Sequence, residues 1–360
     1  MKKKLRVGIV GLGGICRYSH MPAYRKMDNI EVAAICDILP EKIEWIKENF
    51  NMPNVPAFTD YNDLLNVEGL DYIDICTPNY LHSIIAVKAM EKGIHVFCEK
   101  PDAVSVEEAE KMKYAAEKNN CHLMVMRNNR YRATSKYLKQ YIKDGKMGEI
   151  YCGRCGWQRR RGIPGKGGWF TTKAQSGGGP LIDLGVHMID LSIWLMGNPT
   201  PVAVSGCTYS KFADSNVSDS VHSNFGTAKE DGTFDVEDLA MGFIKFDNGA
   251  CLQIEFSWAS NIENEQCFVE LRGTKAGSSF NDRTGKVKIF TEEYGELVDF
   301  EPVTADDFKC MEHHEANLRH FADVLLNGKK PDFEPIQGVN MIKILEAMYK
   351  SAETGAEVRL

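Results

Sequence analysis

The 360 residues contain no apolar run long enough to cross a bilayer. The most apolar helical stretch, Leu181 to Met196, is too short and carries Asp183, His187 and Asp190. A secretory leader is not expected: behind Lys2, Lys3 and Lys4 the apolar stretch runs only from Leu5 to Val10, with Arg6 and Gly8 inside it. Positive charge is in deficit, with 43 Lys and Arg against 50 Asp and Glu, and the net charge of −7 argues against nucleic acid as a partner. Internal repeats and low-complexity tracts are absent, which excludes repeat architectures. Paired C-x-x-C motifs are lacking too. Cys152 and Cys155 make a single match in a strand pattern, where positions three apart face opposite ways, so no metal site is expected. Eleven cysteines are an odd number for a disulfide framework. They read as reduced thiols in a cytoplasmic protein.

What is present is an ordinary globular mixture, 43% hydrophobic and 26% charged, long enough for two domains of roughly 100–200 residues each. The first half alternates short apolar runs with helical stretches. Leu5–Val10, Glu31–Cys36, Tyr72–Cys76, His95–Cys98 and Leu123–Met126 read as buried parallel strands. Helices are predicted from the first glycines to about Lys26, over Pro40–Asn49 and His82–Lys92, and over Val106–Asn119. Alternation of this kind implies right-handed crossovers and a sheet covered on both faces.

The first strand-to-helix turn, Gly11-Leu12-Gly13-Gly14-Ile15-Cys16, matches G-x-G-x-x-G except that Cys16 replaces the last glycine. Gly11 permits the tight turn. Gly13 and Gly14, with Ile15 opening the helix, let a pyrophosphate approach the backbone. The pattern alone is weak. Its position between a strand and a helix, with Asp37 closing the second strand, makes it a dinucleotide site. Asp37 can accept hydrogen bonds from the adenosine ribose, and Ile38 offers no cation to a 2′-phosphate, so NAD is expected rather than NADP.

Two further motifs are specific: Glu99-Lys100-Pro101 after the strand His95–Cys98, and the run Gly177-Gly178-Gly179-Pro180 through Asp183 and His187 to Asp190. Together with Cys76-Thr77-Pro78-Asn79, His82 and the ending Ile344–Ala352, they resemble the glucose–fructose oxidoreductase, inositol dehydrogenase and rhizopine-catabolism family over nearly the whole chain. The resemblance implies an α/β protein: an N-terminal Rossmann dinucleotide-binding domain, residues 1–126, and a C-terminal α/β domain on an open, mostly antiparallel sheet, residues 127–360. The C-terminal helix could pack back on the first domain. The strands Glu149–Gln158, Val202–Tyr209, Leu239–Phe246, Ala250–Trp258 and Cys267–Arg272, with a hairpin signal at Asp247-Asn248-Gly249, agree with it.

Oxidising an alcohol onto nicotinamide needs a base and a site that holds the carbon against the ring. Lys100 follows a sheet strand, where open α/β sheets bind ligands, and Pro101 stiffens its turn. Asp183 and His187 are four apart on one helix face, and Asp190 continues it, a costly set to bury without purpose. For Asp190 a structural pairing is expected. The resemblance makes Lys100 the contact to the reacting hydroxyl, His187 a proton acceptor or relay, and Asp183 a substrate ligand that orients it. The formal base stays open between Lys100 and His187. Thr77, Pro78, Asn79, His82 and Glu99 are expected on the cofactor side, Asn79 and Glu99 at the nicotinamide ribose. Arg130, Tyr131, the loop Arg161–Trp169, Lys173, Gln175 and Glu237-Asp238 are weaker substrate candidates. Arg159-Arg160-Arg161 reads as a solvated loop, and His313-His314 as a helix start.

The expected function is NAD-dependent oxidation of a secondary hydroxyl of a sugar, glycoside or cyclitol. The alternatives are an NAD-dependent glycosidase working by transient oxidation and elimination, a nucleotide-sugar dehydrogenase, and a non-catalytic NAD sensor. The strands Leu239–Phe246 and Ala250–Trp258 read as apolar on both faces, and the resembling family forms dimers, tetramers or rings, so a homo-oligomer is expected through this sheet.

Overall fold

The computed structural model describes residues 4–281, 284–304 and 310–360. The chain divides into two compact units, Met1–Asn128 with Cys310–Val339, and Asn129–Lys309 with Asn340–Leu360. Each unit is therefore made of two pieces of chain.

The first unit holds a six-stranded parallel sheet. Its strands are β1 (Leu5–Val10), β2 (Ile30–Cys36), β3 (Ala57–Phe58), β4 (Tyr72–Ile75), β5 (His95–Cys98) and β6 (Leu123–Val125), in the order β3-β2-β1-β4-β5-β6. The order reverses between β1 and β4, and the crevice outside the strand ends at such a point is where open α/β sheets bind ligands. All five expected strands differ from those observed by one residue at most at either end, and Leu5–Val10 and His95–Cys98 coincide with them. The helix Pro40–Asn49 also falls where the sequence places it, with Pro at its first turn. The helix after the glycine turn differs from expectation, since Cys16–His20 winds as a π-helix before α-helix takes over at Met21–Arg25. From the second piece of chain, Phe321 packs edge-on against Tyr72 and at a tilt on Phe97, so the helix Cys310–Asn327 completes this core.

The second unit is built on nine strands: β7 (Ile150–Gln158), β8 (Pro201–Tyr209), β9 (Leu239–Phe246), β10 (Cys251–Ser257), β11 (Gln266–Gly273), β12 (Ala276–Asn281), β13 (Lys286–Glu293), β14 (Glu296–Phe300) and β15 (Val358–Arg359). Their order is β14-β13-β12-β11-β7-β10-β9-β8-β15, and all pairs are antiparallel except β7 with β10. One face is buried, with Ala240, Ile244, Leu252, Ile254, Cys155 and Val269 packed inward. The other face corrects the expectation of strands apolar on both sides. Met241 and Phe243 stand outward beside Gln253 and Glu255, and Arg154 pairs with Glu270 while its guanidinium lies over Phe268. No helix among the described residues is long and apolar enough to cross a membrane.

Candidate active site

In the first unit the site begins at the end of β1. Gly11 has φ +95°, and a Cβ there would meet the Cys76 main chain at 2.6 Å, so only glycine fits between the two strand ends. Gly13 and Gly14 face open space, with nothing within 4 Å of a Cβ at either. Ile15 leads into the π-turn, and Cys16 is wholly buried, small enough for the close packing that the missing glycine would give. Asp37, nearly buried, accepts the N–H of Leu12 (2.8 Å) and of Leu39 (3.0 Å), so it fixes the glycine loop. Lys42 Nζ lies 3.5 Å from its Oδ2, a cation that reading only the neighbour Ile38 overlooks.

After β4, Thr77 keeps its hydroxyl oxygen buried with no hydrogen-bond partner in the chain, as a group awaiting a ligand would. Pro78 precedes the short turn Asn79–Leu81, where Asn79 is buried. His82 is fully buried. Its ring nitrogens lie 2.8 Å from the Pro101 carbonyl and 2.9 Å from the Thr77 carbonyl, tying the two cofactor-side turns together. Burial pushes its pKa down against those two carbonyls. Lys100 is half-buried, and its backbone N–H donates to Glu99 Oε2 (3.1 Å). The open Gly13–Gly14 face, the unpartnered Thr77 hydroxyl and the Asp37 carboxylate fit a bound dinucleotide.

In the second unit the triple glycine has a packing cause. A Cβ on Gly178 would meet Tyr349 Oη at 1.9 Å, and one on Gly179 would meet the Glu237 carbonyl at 2.0 Å. Glu237 accepts the N–H of Gly179 (3.0 Å) and of Leu181 (3.1 Å), and Tyr349 donates to it (3.0 Å). Burial pushes the Glu237 carboxyl up despite these donors. The helix thus capped starts as a π-turn, Leu181–Gly185, and continues as α-helix over Val186–Leu195. Asp183 accepts from the indole N–H of the buried Trp258 (3.0 Å), and the Trp157 ring lies 6.1 Å from that of His187. Trp157 donates to Glu265 (2.8 Å), and His222 packs edge-on against Trp157 at 6.0 Å.

Arg159 corrects the sequence reading. It is 5% exposed rather than solvated, stacks its guanidinium 5.0 Å from the Trp157 ring and donates to the Gly162 carbonyl. Burial lowers its pKa, while the charges of Asp183 and Glu265 hold it up. Burial and the Arg159 charge likewise lower the pKa of His222. Sequence reasoning missed Arg159, His222, Glu265 and Trp157. They come from three separate segments, and only the fold assembles them around Asp183 and His187.

The weaker candidates are placed as follows. Arg130 is buried and makes a two-pronged pair with Asp190 (2.6 and 2.8 Å). Tyr131 is buried beneath the Lys136 ammonium. Arg161 donates to the carbonyls of Arg160 and Ser260 and to Asn261, and Trp169 stacks on Phe170 at 3.9 Å. Lys173 is exposed, with its backbone N–H on Asp235 and its ammonium 5.5 Å from the Tyr349 ring. Asp238 is buried and held by main-chain N–H groups of Lys211 and Phe212.

A dinucleotide loop on one unit, and on the other a carboxylate and an imidazole among indoles, define a nicotinamide-dependent oxidoreductase. Residues 5–127 match the family described as "Oxidoreductase family, NAD-binding Rossmann fold", and residues 135–278 match the GFO/IDH/MocA C-terminal domain. The chain belongs to the GFO/IDH/MocA oxidoreductase family, and its cofactor is NAD. It is 32% identical to the D-glucoside 3-dehydrogenase of Escherichia coli (strain K12), over 99% of this chain and 97% of that protein. To the glucose-6-phosphate 3-dehydrogenase of Bacillus subtilis (strain 168) it is 29% identical, over 79% of this chain and 76% of that one. Among solved structures, levoglucosan dehydrogenase in complex with NADH and levoglucosan has the same fold, with a TM-score of 0.87 at 24% identity over 99% of both chains.

Proposed function

We propose that this dehydrogenase oxidises the secondary hydroxyl at carbon 3 of a D-glucose-configured glycoside. The observation that carries the reading is the setting of Asp183 and His187 among Trp157, Trp258 and Arg159. The half-buried Trp157 offers an indole face to the C–H face of a pyranose and Asp183 a carboxylate to its hydroxyls, while the buried Trp258 and Arg159 hold these two in place. The position of attack follows the 3-dehydrogenase relatives.

In this mechanism Lys100 donates to the reacting oxygen and lowers the pKa of its hydroxyl. His187 takes the hydroxyl proton. Asp183 binds a neighbouring hydroxyl and, fixed by Trp258, keeps His187 aligned. Bound NAD supplies the hydride acceptor. The half-buried state of Asp183, Lys100 and His187 supports this assignment. Free thiols such as Cys16, Cys36, Cys98 and Cys155 support a reducing, cytoplasmic setting. The outward residues Met241 and Phe243 support self-association through the nine-stranded sheet.

The test is NADH formation across methyl glucosides, glucose 6-phosphate, levoglucosan and inositols, with the product identified by NMR. A 3-keto glycoside is the expected product. Preferred turnover of an inositol, or oxidation at another carbon, would overturn the assignment.

A further inference from the structure

The first unit buries a charged chain of side chains that the mechanism above does not use. His20 closes the π-turn that follows the glycine loop, and its side chain is wholly buried. Its Nδ1 lies 2.7 Å from Asp74 Oδ2, on β4, and its Nε2 lies 2.8 Å from Glu99 Oε1, just past β5. Glu99 uses its other oxygen to accept the Lys100 N–H. At the far end Tyr24 donates to Asp74 Oδ2 (2.8 Å), and Cys76 Sγ lies 3.4 Å from His20 Nδ1. His20, Asp74 and Cys76 are metal-ligand types, and the 2.7 Å between nitrogen and oxygen is a hydrogen-bond length.

The proton count follows from the geometry. An ionised carboxylate only accepts hydrogen bonds, and a neutral imidazole carries one N–H. Both His20 nitrogens face carboxylate oxygens at hydrogen-bond distance. A neutral ring between two ionised carboxylates would therefore set two acceptors against each other in a buried site. A second ring proton removes the conflict.

We propose that Asp74, His20 and Glu99 form a positioning unit for Lys100, in which an imidazole bearing two N–H groups, clamped between two carboxylates, fixes Glu99 and through it the main chain of the lysine. The reading rests on Lys100 acting as proposed above. Its electrostatics agree. Burial works against charge on His20, yet Asp74 and Glu99 raise its pKa well above the ordinary value. Burial also works against charge on Glu99, but His20, His314 and Lys100 bring its pKa down to about 2. Burial and Asp74 push the Tyr24 phenol up, so it stays a donor, and burial likewise raises the Cys76 thiol. The ring of His314, from the helix Cys310–Asn327, lies 6.4 Å from that of His20. The sign is fixed by these directions. The unit is complete from above the Glu99 value up to the raised His20 value, and its hold on Lys100 is lost as pH rises through the latter.

The test uses the full-length enzyme with NAD. Glu99→Gln keeps the shape but offers one carbonyl oxygen to two donors, so one hydrogen bond is lost whichever way the amide turns. We expect kcat to fall on the order of 10–100-fold from misplacement of Lys100, with KM for sugar little changed. His20→Gln should give a similar loss and should abolish the alkaline fall in kcat that His20 deprotonation causes. Tyr24→Phe removes one hydroxyl at the far end and leaves Asp74 Oδ2 to the His20 N–H alone, so it should lower kcat less and move that alkaline limb to higher pH. It serves as the reporter if the other variants fold poorly. Independently of any sugar, ¹⁵N NMR of the histidine rings should show both His20 nitrogens protonated at neutral pH.

A neutral His20 ring in the wild type overturns the proposal. So does a folded Glu99→Gln variant with wild-type kcat and pH profile, or a Tyr24→Phe variant whose limb does not move. If the wild type oxidises no sugar, the functional reading fails instead. The ¹⁵N NMR of His20 then decides: both ring nitrogens must be protonated at neutral pH.

Discussion

The carboxylate of Asp37 takes the N–H groups of Leu12 and Leu39, and the Lys42 ammonium stands 3.5 Å away. A 2′-phosphate brought to this place would meet the carboxylate first, and Lys42 is already neutralised by it. Removing the carboxylate leaves that ammonium to the phosphate. We therefore expect Asp37→Ser alone to shift preference toward NADP by roughly 10-fold or more, about the strength of one charge-assisted contact. Calorimetric titration with both cofactors checks this, and adding Lys42→Ala should cancel the shift. For the reaction itself, Lys100→Met and His187→Ala should each cost on the order of 10²–10⁴ in kcat while NAD affinity stays close to wild type. Asp183→Asn should chiefly raise KM. Steady-state rates beside cofactor titrations separate these outcomes. At this scale Asp37, Lys100, Asp183 and His187 were legible because each sits in a motif whose spacing carries chemistry. His20 and Glu99 are 79 positions apart, and His20 and Asp74 are 54 apart, so no local pattern links them. Arg159 looked like one of three solvated arginines, because the alternation that turns it inward depends on strand register.

Among the elements, the capped start of the helix Leu181–Leu195 shows how closely one turn is fitted. A methyl group on Gly179 would sit 2.0 Å from the carbonyl of Glu237, whose side chain caps the same turn. Backbone cannot give way as a flexible side chain can. Gly179→Ala should lower stability by about 1–3 kcal/mol, the usual cost of overpacking, and should disturb Asp183 four residues on. Thermal melting beside sugar KM checks both effects, and loss of stability without a KM change would show that the turn and Asp183 are independent. The triple glycine was visible in the sequence, but its cause was not, since Glu237 and Tyr349 arrive from distant segments. The strands of the first sheet were legible as continuous apolar runs between helices, a pattern that buried parallel strands impose. The strands β12 to β14 were not. In β12 the apolar alternation is interrupted by Ser278, which is buried on the inward face between Ala276 and Phe280, and β14 is largely exposed, as expected near the edge of an open sheet.

For the molecule as a whole, the open face of the nine-stranded sheet is the one that the proposed self-association would use. It is mixed rather than greasy: Met241 and Phe243, 39% and 40% exposed, lie among Gln253, Glu255 and the Arg154–Glu270 pair. Such composition suits an interface with a small apolar centre and a polar surround. Met241→Asp with Phe243→Asp should place like charges at that centre and convert the oligomer to a monomer. Light scattering at micromolar concentration checks it, and a wild-type protein that is already monomeric there would refute the association.

Both units are closed by chain that comes late. Phe321 reaches the core beside β4 and β5 some two hundred residues after β6 has ended, and Val358 pairs with Val204 to add the last strand of the other sheet. A ribosome delivering this chain thus holds two unfinished bodies until residues 310–360 emerge. For the same reason no single cleavage yields two intact halves. A fragment ending at Asn128 lacks the helix that covers its sheet, and a fragment beginning at Asn129 carries that helix with nothing to cover.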